Sequence, residues 1–313
     1  MLCEFHLCID EKLSNYSFPG EHPFGVERLA AFKEQLFKTV DQETYCTMPS
    51  RLATEQQLTL FHDKKLVHWI KQKSIEGSGL LDSADTPAYQ GVYEAACRVT
   101  GTVLEGLDRI MSNQAKRIFV PIAGLHHARR HAAAGFCVFN DIGVAIEYLR
   151  QRYGVRRIAY IDIDAHHGDG VFYEYESDPD LLFVDFHEDG LFLYPGTGHA
   201  DETGIGPAQG TKMNIPLPMN VDDEEFLELW PEAEQFIARF EPEIILLQAG
   251  ADCLQGDPIT DMALSTRPHA HTAQRLRMLA ERCCNGRMLG MGGGGYNLQN
   301  VAMAWIAVVK QWV

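Results

Sequence analysis

The stretch that decides the fold is IAYIDIDAHHGDG, residues 158–170. It opens with a short apolar run and then places three aspartates and two histidines within eight positions. An apolar run that does not alternate with polar residues is typical of a strand buried on both faces of a parallel sheet. Charged groups are costly to bury without partners, so their place directly after such a run predicts a site at the carboxyl end of the strand.

The same succession of short apolar runs and helical patterns recurs along the 313 residues. We predict strands at residues 3–9, 117–122, 157–163, 181–186, 243–248 and 287–291. We predict helices at residues 26–40, 89–113, 141–153, 222–240, 268–284 and 298–312, and a capping box that opens a further helix at residues 54–57. This alternation predicts one α/β domain over residues 1–313, with helices on both faces of a mostly parallel sheet.

Polar or glycine-rich segments follow or end five of these strands. They are GLHHA (124–128), DAHHGDG (164–170), DFH (185–187), AGAD (249–252) and GGGGYN (292–297). In open parallel α/β sheets, ligands bind outside the carboxyl ends of the strands. Five segments of this kind predict a single composite site at that edge of the sheet.

The composition of the chain restricts the binding partners and the cellular location that we expect. The chain has 43 acidic and 27 basic residues, a formal charge of −16, whereas a nucleic-acid binder needs a basic face. No uncharged apolar run approaches the length of a membrane span, and the acidic N-terminus does not resemble a signal peptide. The eight cysteines form no C-x-x-C pair, which favours reduced thiols. We therefore predict a cytoplasmic protein that binds neither nucleic acid nor membrane.

Asp164, His166 and Asp252 form a candidate metal site. Asp164 and His166 share one side of the chain if the strand continues that far, because alternate residues of a strand face the same way. Two carboxylate oxygens and one imidazole nitrogen leave a position open for water, as catalytic zinc sites require. We expect Zn²⁺, and Fe²⁺ suits the same donors. Two carboxylates cancel the charge of the ion, so an additional acid or base is expected nearby.

His126 and His127 are the candidates for that acid and base, because imidazole titrates near neutral pH. Each needs an orienting partner on its other nitrogen, and Asp162 and Asp169 are available for this. Two His–Asp pairs of different basicity would divide the acid and base roles. For His167 we predict only a structural hydrogen bond.

The glycine-rich segment 292–297 contains no nucleotide-binding motif. Its glycines, Gly294 among them, are interpreted as letting the backbone approach a ligand closely. Such an approach would aim Tyr296 into the site, where its hydroxyl could donate a hydrogen bond to an oxyanion.

Together these segments resemble the zinc-dependent histone deacetylase superfamily, which includes acetoin-utilisation-type proteins, acetylpolyamine amidohydrolases and lysine deacetylases. The similar segments occur in the family order and cover nearly the whole chain: HPFGVERL (22–29), DTPAYQGVYEAA (85–96), GLHHA (124–128), GFCVFND (135–141), YIDIDAHHGDGV (160–171), LYPGTG (193–198), QAGAD (248–252), GDP (256–258) and GGGGYN (292–297). The resemblance implies an arginase-like three-layer αβα sandwich with about eight mostly parallel strands. It also implies a zinc-dependent amidohydrolase that removes acetyl or related acyl groups from amines.

The resemblance also implies roles for individual residues. His127 is similar to the general base and acid of the family, His126 to its electrostatic partner, and Tyr296 to the tyrosine that polarises the substrate carbonyl. Asp162 and Asp169 are similar to the aspartates behind the two histidines. The residues similar to the zinc ligands are Asp164, His166 and Asp252.

Further positions concern potassium and the substrate. The family binds potassium through groups on segments equivalent to 162–166 and 185–186, and here Asp185 stands where a serine is common. Gly135, Phe136 and Tyr194 resemble the wall of an acyl-lysine tunnel, although many relatives have Phe at the position of Tyr194. Asp85 resembles the rim aspartate that binds substrate amides.

Ile259 bears on the choice of substrate. Acetylpolyamine-selective relatives have a gatekeeper Glu at the position similar to Ile259, and an apolar side chain cannot pair with an ammonium group. This favours ε-N-acyl-lysine in a protein or peptide, while the acidic surface favours the alternative, an acetylpolyamine or another small acylated amine. The chain is short for the family, which implies trimmed rim loops that a second subunit could complete, so an oligomer is compatible with the sequence.

Two other hypotheses compete with this one. A binuclear manganese ureohydrolase would need further bridging carboxylates, including aspartates in place of His167 and of Ala249 or Ala251, and the sequence has none at these positions. A non-catalytic binding protein of the same fold would typically have lost a metal ligand or the tyrosine, whereas both are present.

Overall fold

The computed structural model describes residues 3–313, and within them eight strands form one sheet. The strands are β1 (Phe5–Leu7), β2 (Cys46–Thr47), β3 (Arg117–Val120), β4 (Ile158–Asp162), β5 (Leu181–Glu188), β6 (Lys212–Leu217), β7 (Ile244–Gln248) and β8 (Met288–Met291). Their order is β2-β1-β3-β8-β7-β4-β5-β6, and each pairs in parallel with its neighbours. The predicted parallel sheet of about eight strands is therefore confirmed.

Helices pack in two groups around the sheet. They are α1 (Glu27–Thr39), α2 (Glu55–Leu58), α3 (Lys64–Glu76), α4 (Val92–Met111), α5 (Asp141–Tyr153), α6 (Asp169–Phe172), α7 (Asp223–Phe240), α8 (Arg267–Cys283) and α9 (Leu298–Trp312). In one group, α1 packs on α9, α9 on α8 and α8 on α7; in the other, α3 packs on α4 and α4 on α5. This is the three-layer arrangement expected from the sequence. Within the described residues, no helix has both the length and the apolar character needed to span a bilayer.

The termini of the helices follow the predicted local chemistry. The capping box at the start of α2 is present, with the Thr54 side chain accepting from the Gln57 N–H and the Gln57 side chain accepting from the Thr54 N–H. Asn140 caps α5 by accepting from the N–H of Gly143, and Gly154 ends that helix in the left-handed region. The sequence patterns do not predict β2, β6 or α3.

The four central strands explain the continuous apolar runs of the sequence. Every residue of β3, β4, β7 and β8 is buried, because helices cover both faces of the sheet. These strands are neighbours in the order β3-β8-β7-β4. Their carboxyl ends therefore bring the segments 124–128, 164–170, 249–252 and 292–297 to one place. All eight cysteines are free thiols, as predicted.

Candidate active site

Asp164, His166 and Asp252 converge beyond the ends of β4 and β7. The Nδ1 atom of His166 lies 3.1 Å from Asp164 Oδ1 and 3.1 Å from Asp252 Oδ2, and all three side chains are buried. Because β4 ends at Asp162, Asp164 and His166 converge from a loop and not through the alternation of a strand. The ligand atoms of the three residues lie within 4.8 Å of one another.

The electrostatics of this cluster call for a cation. Burial, together with the neighbouring Asp164 carboxylate, raises the pKa of Asp252 to about 7. Burial opposes protonation of His166, but the carboxylates of Asp164 and Asp252 prevail and raise its pKa to about 10. Two buried carboxylates thus require a positive charge between them. Zn²⁺ or Fe²⁺ would meet this need with a nitrogen and oxygen donor set, so the residues present fit the expected metal.

Backbone and amide groups hold the first of these carboxylates in place. Gln248 Nε2 and the N–H of Gly294 both donate to Asp164 Oδ2, at 2.7 and 2.8 Å. A Cβ at position 294 would lie 2.1 Å from Asp252 Oδ2 and 2.9 Å from Asp164 Oδ2. Only glycine allows this close approach, so Gly294 supports the candidate ligands in addition to lining the cavity beside Tyr296.

His126 and His127 form a hydrogen-bonded pair in which each imidazole also contacts a carboxylate. His126 Nδ1 lies 2.8 Å from Asp162 Oδ2, and His127 Nδ1 lies 2.7 Å from Asp169 Oδ1. The two Nε2 atoms are 3.1 Å apart. Each Nδ1 must donate to its carboxylate, and one proton can lie between the two Nε2 atoms, so the pair holds three protons and one positive charge. The structure thus brings together the two predicted His–Asp pairs.

The neighbouring groups place the positive charge of the pair on His126 and not on His127. Burial disfavours a charged His126, but the Asp162 and Asp164 carboxylates raise its pKa to about 9. Burial, followed by the charge on His126, lowers the pKa of His127 to about 4. His127 is therefore neutral, and its Nε2 lone pair, which accepts a hydrogen bond from His126 Nε2–H, can take up a proton when that bond is released. The two imidazoles differ in basicity as expected.

The loop that carries the histidines is attached to the N-terminus of α5. Asp141 accepts hydrogen bonds from the N–H groups of Gly124 and Leu125, at 2.8 and 2.7 Å, and Asn140 Nδ2 donates to the carbonyl of Ala128 at 2.8 Å. Asn140 and Asp141 are fully buried. Sequence reasoning assigns them no role at the site, although two adjacent polar residues after the apolar run CVF are a usable signal.

Gly135, Phe136, Tyr194 and Tyr296 surround the approach to the histidines. The Tyr194 ring lies 5.1 Å from the His127 ring, and the Phe136 ring lies 5.8 Å from the Tyr296 ring. Gly135 has a φ of +52°, and a Cβ there would lie 2.6 Å from His127 Cδ2. Burial, reinforced by the Asp252 charge, raises the pKa of Tyr296 well above its usual range, so its hydroxyl remains a hydrogen-bond donor.

The two predicted rim residues, Asp85 and Ile259, differ in whether they line a cavity. Asp85 is exposed and lines an outer cavity of about 570 Å³ together with Gly135 and Tyr194. Ile259 is exposed on the loop after Asp257, and it is absent from the lining of this cavity and of the one beside Tyr296 in the described chain. The structure therefore places Asp85 with Gly135 and Tyr194, two of the three predicted tunnel residues, and leaves Ile259 outside the two cavities.

Arg28 is a buried residue of the site that sequence reasoning missed. Its guanidinium donates to the carbonyls of Gly295 and Gly293, at 2.9 and 2.6 Å, and lies 4.0 Å from the centre of the Phe24 ring. It is fully buried. Arg28 thus fixes the backbone on either side of Gly294, directly before Tyr296. Arg28 could have been identified from the sequence as the single arginine of HPFGVERL, one of the segments that resemble the family.

His167 and Asp185 lie beside the metal cluster with hydrogen bonds of their own. His167 Nδ1 is 2.8 Å from Thr197 Oγ1, a structural hydrogen bond as predicted. Asp185 Oδ1 is 2.8 Å from His187 Nδ1, and its Oδ2 accepts from the N–H of Gly168. Among the described residues, the group of metal-ligating side chains at this edge of the sheet consists of Asp164, His166 and Asp252.

Comparison with known proteins gives one consistent result. The family model described as "Histone deacetylase domain" matches residues 22–312. The acetoin utilization protein AcuC of Bacillus subtilis (strain 168) is 36% identical over 309 residues, covering 95% of this chain and 77% of the relative. AcuC of Staphylococcus xylosus is 32% identical over 309 residues, covering 96% and 78%. The crystal structure of the HDA15 HD domain superposes with a TM-score of 0.91 at 26% identity, covering 100% of this chain and 88% of that one.

Proposed function

Since the chain belongs to the histone deacetylase family and is a deacetylase hydrolase, we propose that it removes acetyl or related acyl groups from ε-N-acyl-lysine in proteins or peptides. The observation that supports this most is the joint placement of the Asp164–His166–Asp252 cluster and the His127–Asp169 pair at one edge of the sheet. The first offers a metal site, and the second offers a base within the same cavity.

In this proposal Asp164, His166 and Asp252 hold Zn²⁺, or Fe²⁺. When bound, the ion supplies Lewis acidity to the substrate carbonyl and acidity to the attacking water. Gln248 and Gly294 keep Asp164 in position for this role.

His127 accepts the proton of the attacking water on Nε2, because its Nδ1–H is already committed to Asp169. The water oxygen forms a bond to the acyl carbon, and the π electrons of the C=O bond move onto the carbonyl oxygen. Tyr296 donates a hydrogen bond to that oxyanion. His127 then delivers its proton to the leaving nitrogen as the C–N bond breaks. A carboxylate and a free amine result.

His126 supports this cycle without exchanging a proton with substrate. It is charged and hydrogen-bonded to Asp162, and its Nε2–H points to His127 Nε2. When His127 is protonated, that hydrogen bond can no longer form, and the repulsion between two imidazoliums favours release of the proton to the amine. Asp169 offsets part of this repulsion by holding the His127 charge.

The preference for lysine rests on the entrance. Tyr194 beside His127 and Phe136 beside Tyr296 supply aromatic rings that an aliphatic side chain could contact, and Asp85 carries its carboxylate on the outer cavity, where substrate amides would be met. Ile259 adds no anion to bind a second ammonium group. The alternative, a small acylated amine, is favoured by the net charge of −16, which attracts cations.

A substrate panel decides between these candidates. We expect acetyl-lysine peptides to be hydrolysed with a higher kcat/KM than acetylputrescine or acetylspermidine, and chelation to abolish the activity on both classes. The matched variant is Ile259→Glu, which should raise kcat/KM for acetylpolyamines relative to peptides. A higher kcat/KM for acetylpolyamines in the unmodified protein would replace lysine with the alternative substrate class.

Several accompanying expectations stay predictions. They include a potassium ion near Asp162 and Asp185, the cytoplasmic location, the lack of a nucleic-acid partner, the oligomeric state and the single-domain organisation of residues 1–313.

A further inference from the structure

A second cluster of metal-ligating side chains lies at β1 and β2, near one edge of the sheet. It consists of Cys3, His6 and Cys46, whose sulfur and nitrogen ligand atoms lie within 4.8 Å of one another. His6 of β1 and Cys46 of β2 are register partners, and Cys3 lies two residues before β1 begins. Cys3 thus sits at the amino end of its strand, whereas the active site lies at the carboxyl ends of β3, β8, β7 and β4.

His6 is the unusual member of this cluster. The residue is 7% exposed, and its Nδ1 has no hydrogen-bond partner within residues 3–313. His167 Nε2 and His269 Nδ1 are also buried without a partner in the described chain, but His6 is the one of the three that belongs to a group with two thiols. Cys3 and Cys46 are partly exposed, so an ion could reach the cluster from solvent.

We propose that Cys3, His6 and Cys46 bind a thiophilic divalent cation, with Zn²⁺ as the representative ion. Tetrahedral bonds of about 2.3 Å to sulfur and 2.0–2.1 Å to nitrogen place the ligand atoms roughly 3.5–3.8 Å apart. Since the ligand atoms here lie within 4.8 Å of one another, binding an ion requires adjustments of at most about 1 Å. Two thiolates and one neutral imidazole balance the charge of the ion, and water completes the fourth position.

The ion would join two pieces of chain, the N-terminal segment that carries Cys3 and His6 and the short edge strand that carries Cys46. The β1–β2 pairing comprises two residue pairs, and Cys3 lies outside the strand. A cation held by all three residues stabilises this edge because it binds the folded chain and not the unfolded one. The site contains sulfur ligands, unlike the cluster of Asp164, His166 and Asp252, so it selects softer ions.

A disulfide between Cys3 and Cys46 is the competing use of the same residues. It would engage two of the three side chains and leave the buried His6 nitrogen as it is. A cation accounts for all three, and for this reason we favour it.

Cobalt distinguishes the two metal sites spectroscopically. The test is to titrate Co²⁺ into the reduced, metal-stripped protein and to record the thiolate-to-cobalt charge-transfer absorption in the near ultraviolet. The active-site cluster has no sulfur ligand, so it cannot produce this band. We expect the band in the unmodified protein and in the control Cys283→Ser, which alters an exposed cysteine. We expect it to be lost in Cys3→Ser and Cys46→Ser, with deacetylase activity unchanged.

A second measurement needs no variant. Zn²⁺ should abolish alkylation of Cys3 and Cys46 by iodoacetamide while Cys283 still reacts, as followed by peptide mass spectrometry. The proposal is overturned if the reduced protein gives no charge-transfer band, if Cys46→Ser retains the band, or if Zn²⁺ fails to protect Cys3 and Cys46. A Cys3–Cys46 disulfide together with no cobalt band after reduction would establish the competing use.

Discussion

Replacing Asp169 by Asn tests whether the His127–Asp169 pair carries the base. The substitution keeps the shape of the side chain and removes its charge. Asp169 Oδ1 lies 2.7 Å from His127 Nδ1 in a buried setting, so the centres of charge are about 4 Å apart when His127 is protonated. At an effective dielectric of about 20, this separation corresponds to about 4 kcal/mol of attraction. Since roughly 1.4 kcal/mol changes a rate tenfold, the loss would lower kcat by about 10³.

Arg129 reduces the expected loss of kcat. Its Nη2 donates to Asp169 Oδ2 at 3.0 Å and already offsets part of the carboxylate charge, so we expect a decrease of about 10²–10³. An Asn amide can also present its NH₂ group to Nδ1, which would favour the wrong imidazole tautomer and act in the same direction. KM should change little, because Asp169 is buried behind His127.

The assay is steady-state hydrolysis of an acetyl-lysine peptide at neutral pH, with zinc content and circular dichroism measured on each protein. The matched control is Arg129→Gln, which removes the other partner of Asp169. Its side chain is 40% exposed, so its pairing is screened and the expected change is about fivefold or less. If folded, zinc-loaded Asp169→Asn turns over within about fivefold of the unmodified protein, the assignment of His127 as the base is refuted.

Three further predictions concern the surroundings of the same site. Tyr296→Phe should lower kcat at least ~10²-fold with zinc retained, because an oxyanion donor is lost; near-normal turnover would contradict this. Gly294→Ala should weaken zinc binding about 10–100-fold in a chelator competition, since the new Cβ would collide with Asp252 and Asp164. Arg28→Met should lower the free energy of unfolding by about 2–4 kcal/mol in denaturant titrations, because two buried carbonyls lose their donor; an unchanged unfolding midpoint would show that Arg28 does not anchor the loop.

Local chemistry made much of the fold predictable. The predicted strand at 157–163 is observed as β4 (Ile158–Asp162), and α5 begins after Asn140 and ends before Gly154 as expected. The candidate metal residues and both His–Asp pairs come together as predicted. These features were accessible because each one depends on residues close in sequence to a strand end, where parallel topology brings them together.

The missed features have different physical causes. β2 is two residues long, and β6 contains Pro216 and lies at the sheet edge, so neither shows a buried apolar run. The role of Arg28 depends on a contact with Gly293, 265 residues away in sequence. Its partners are backbone carbonyls, and residue type alone gives no indication of which ones it will meet.

The most direct test of the central claim is the recovery of activity in metal-stripped protein as Zn²⁺ is added, measured on an acetyl-lysine peptide beside the Asp252→Asn variant. The account predicts that stripped protein is inactive, that activity returns and saturates with Zn²⁺, and that Asp252→Asn does not recover. Full activity without metal, or recovery of Asp252→Asn to the level of the unmodified protein, would contradict it.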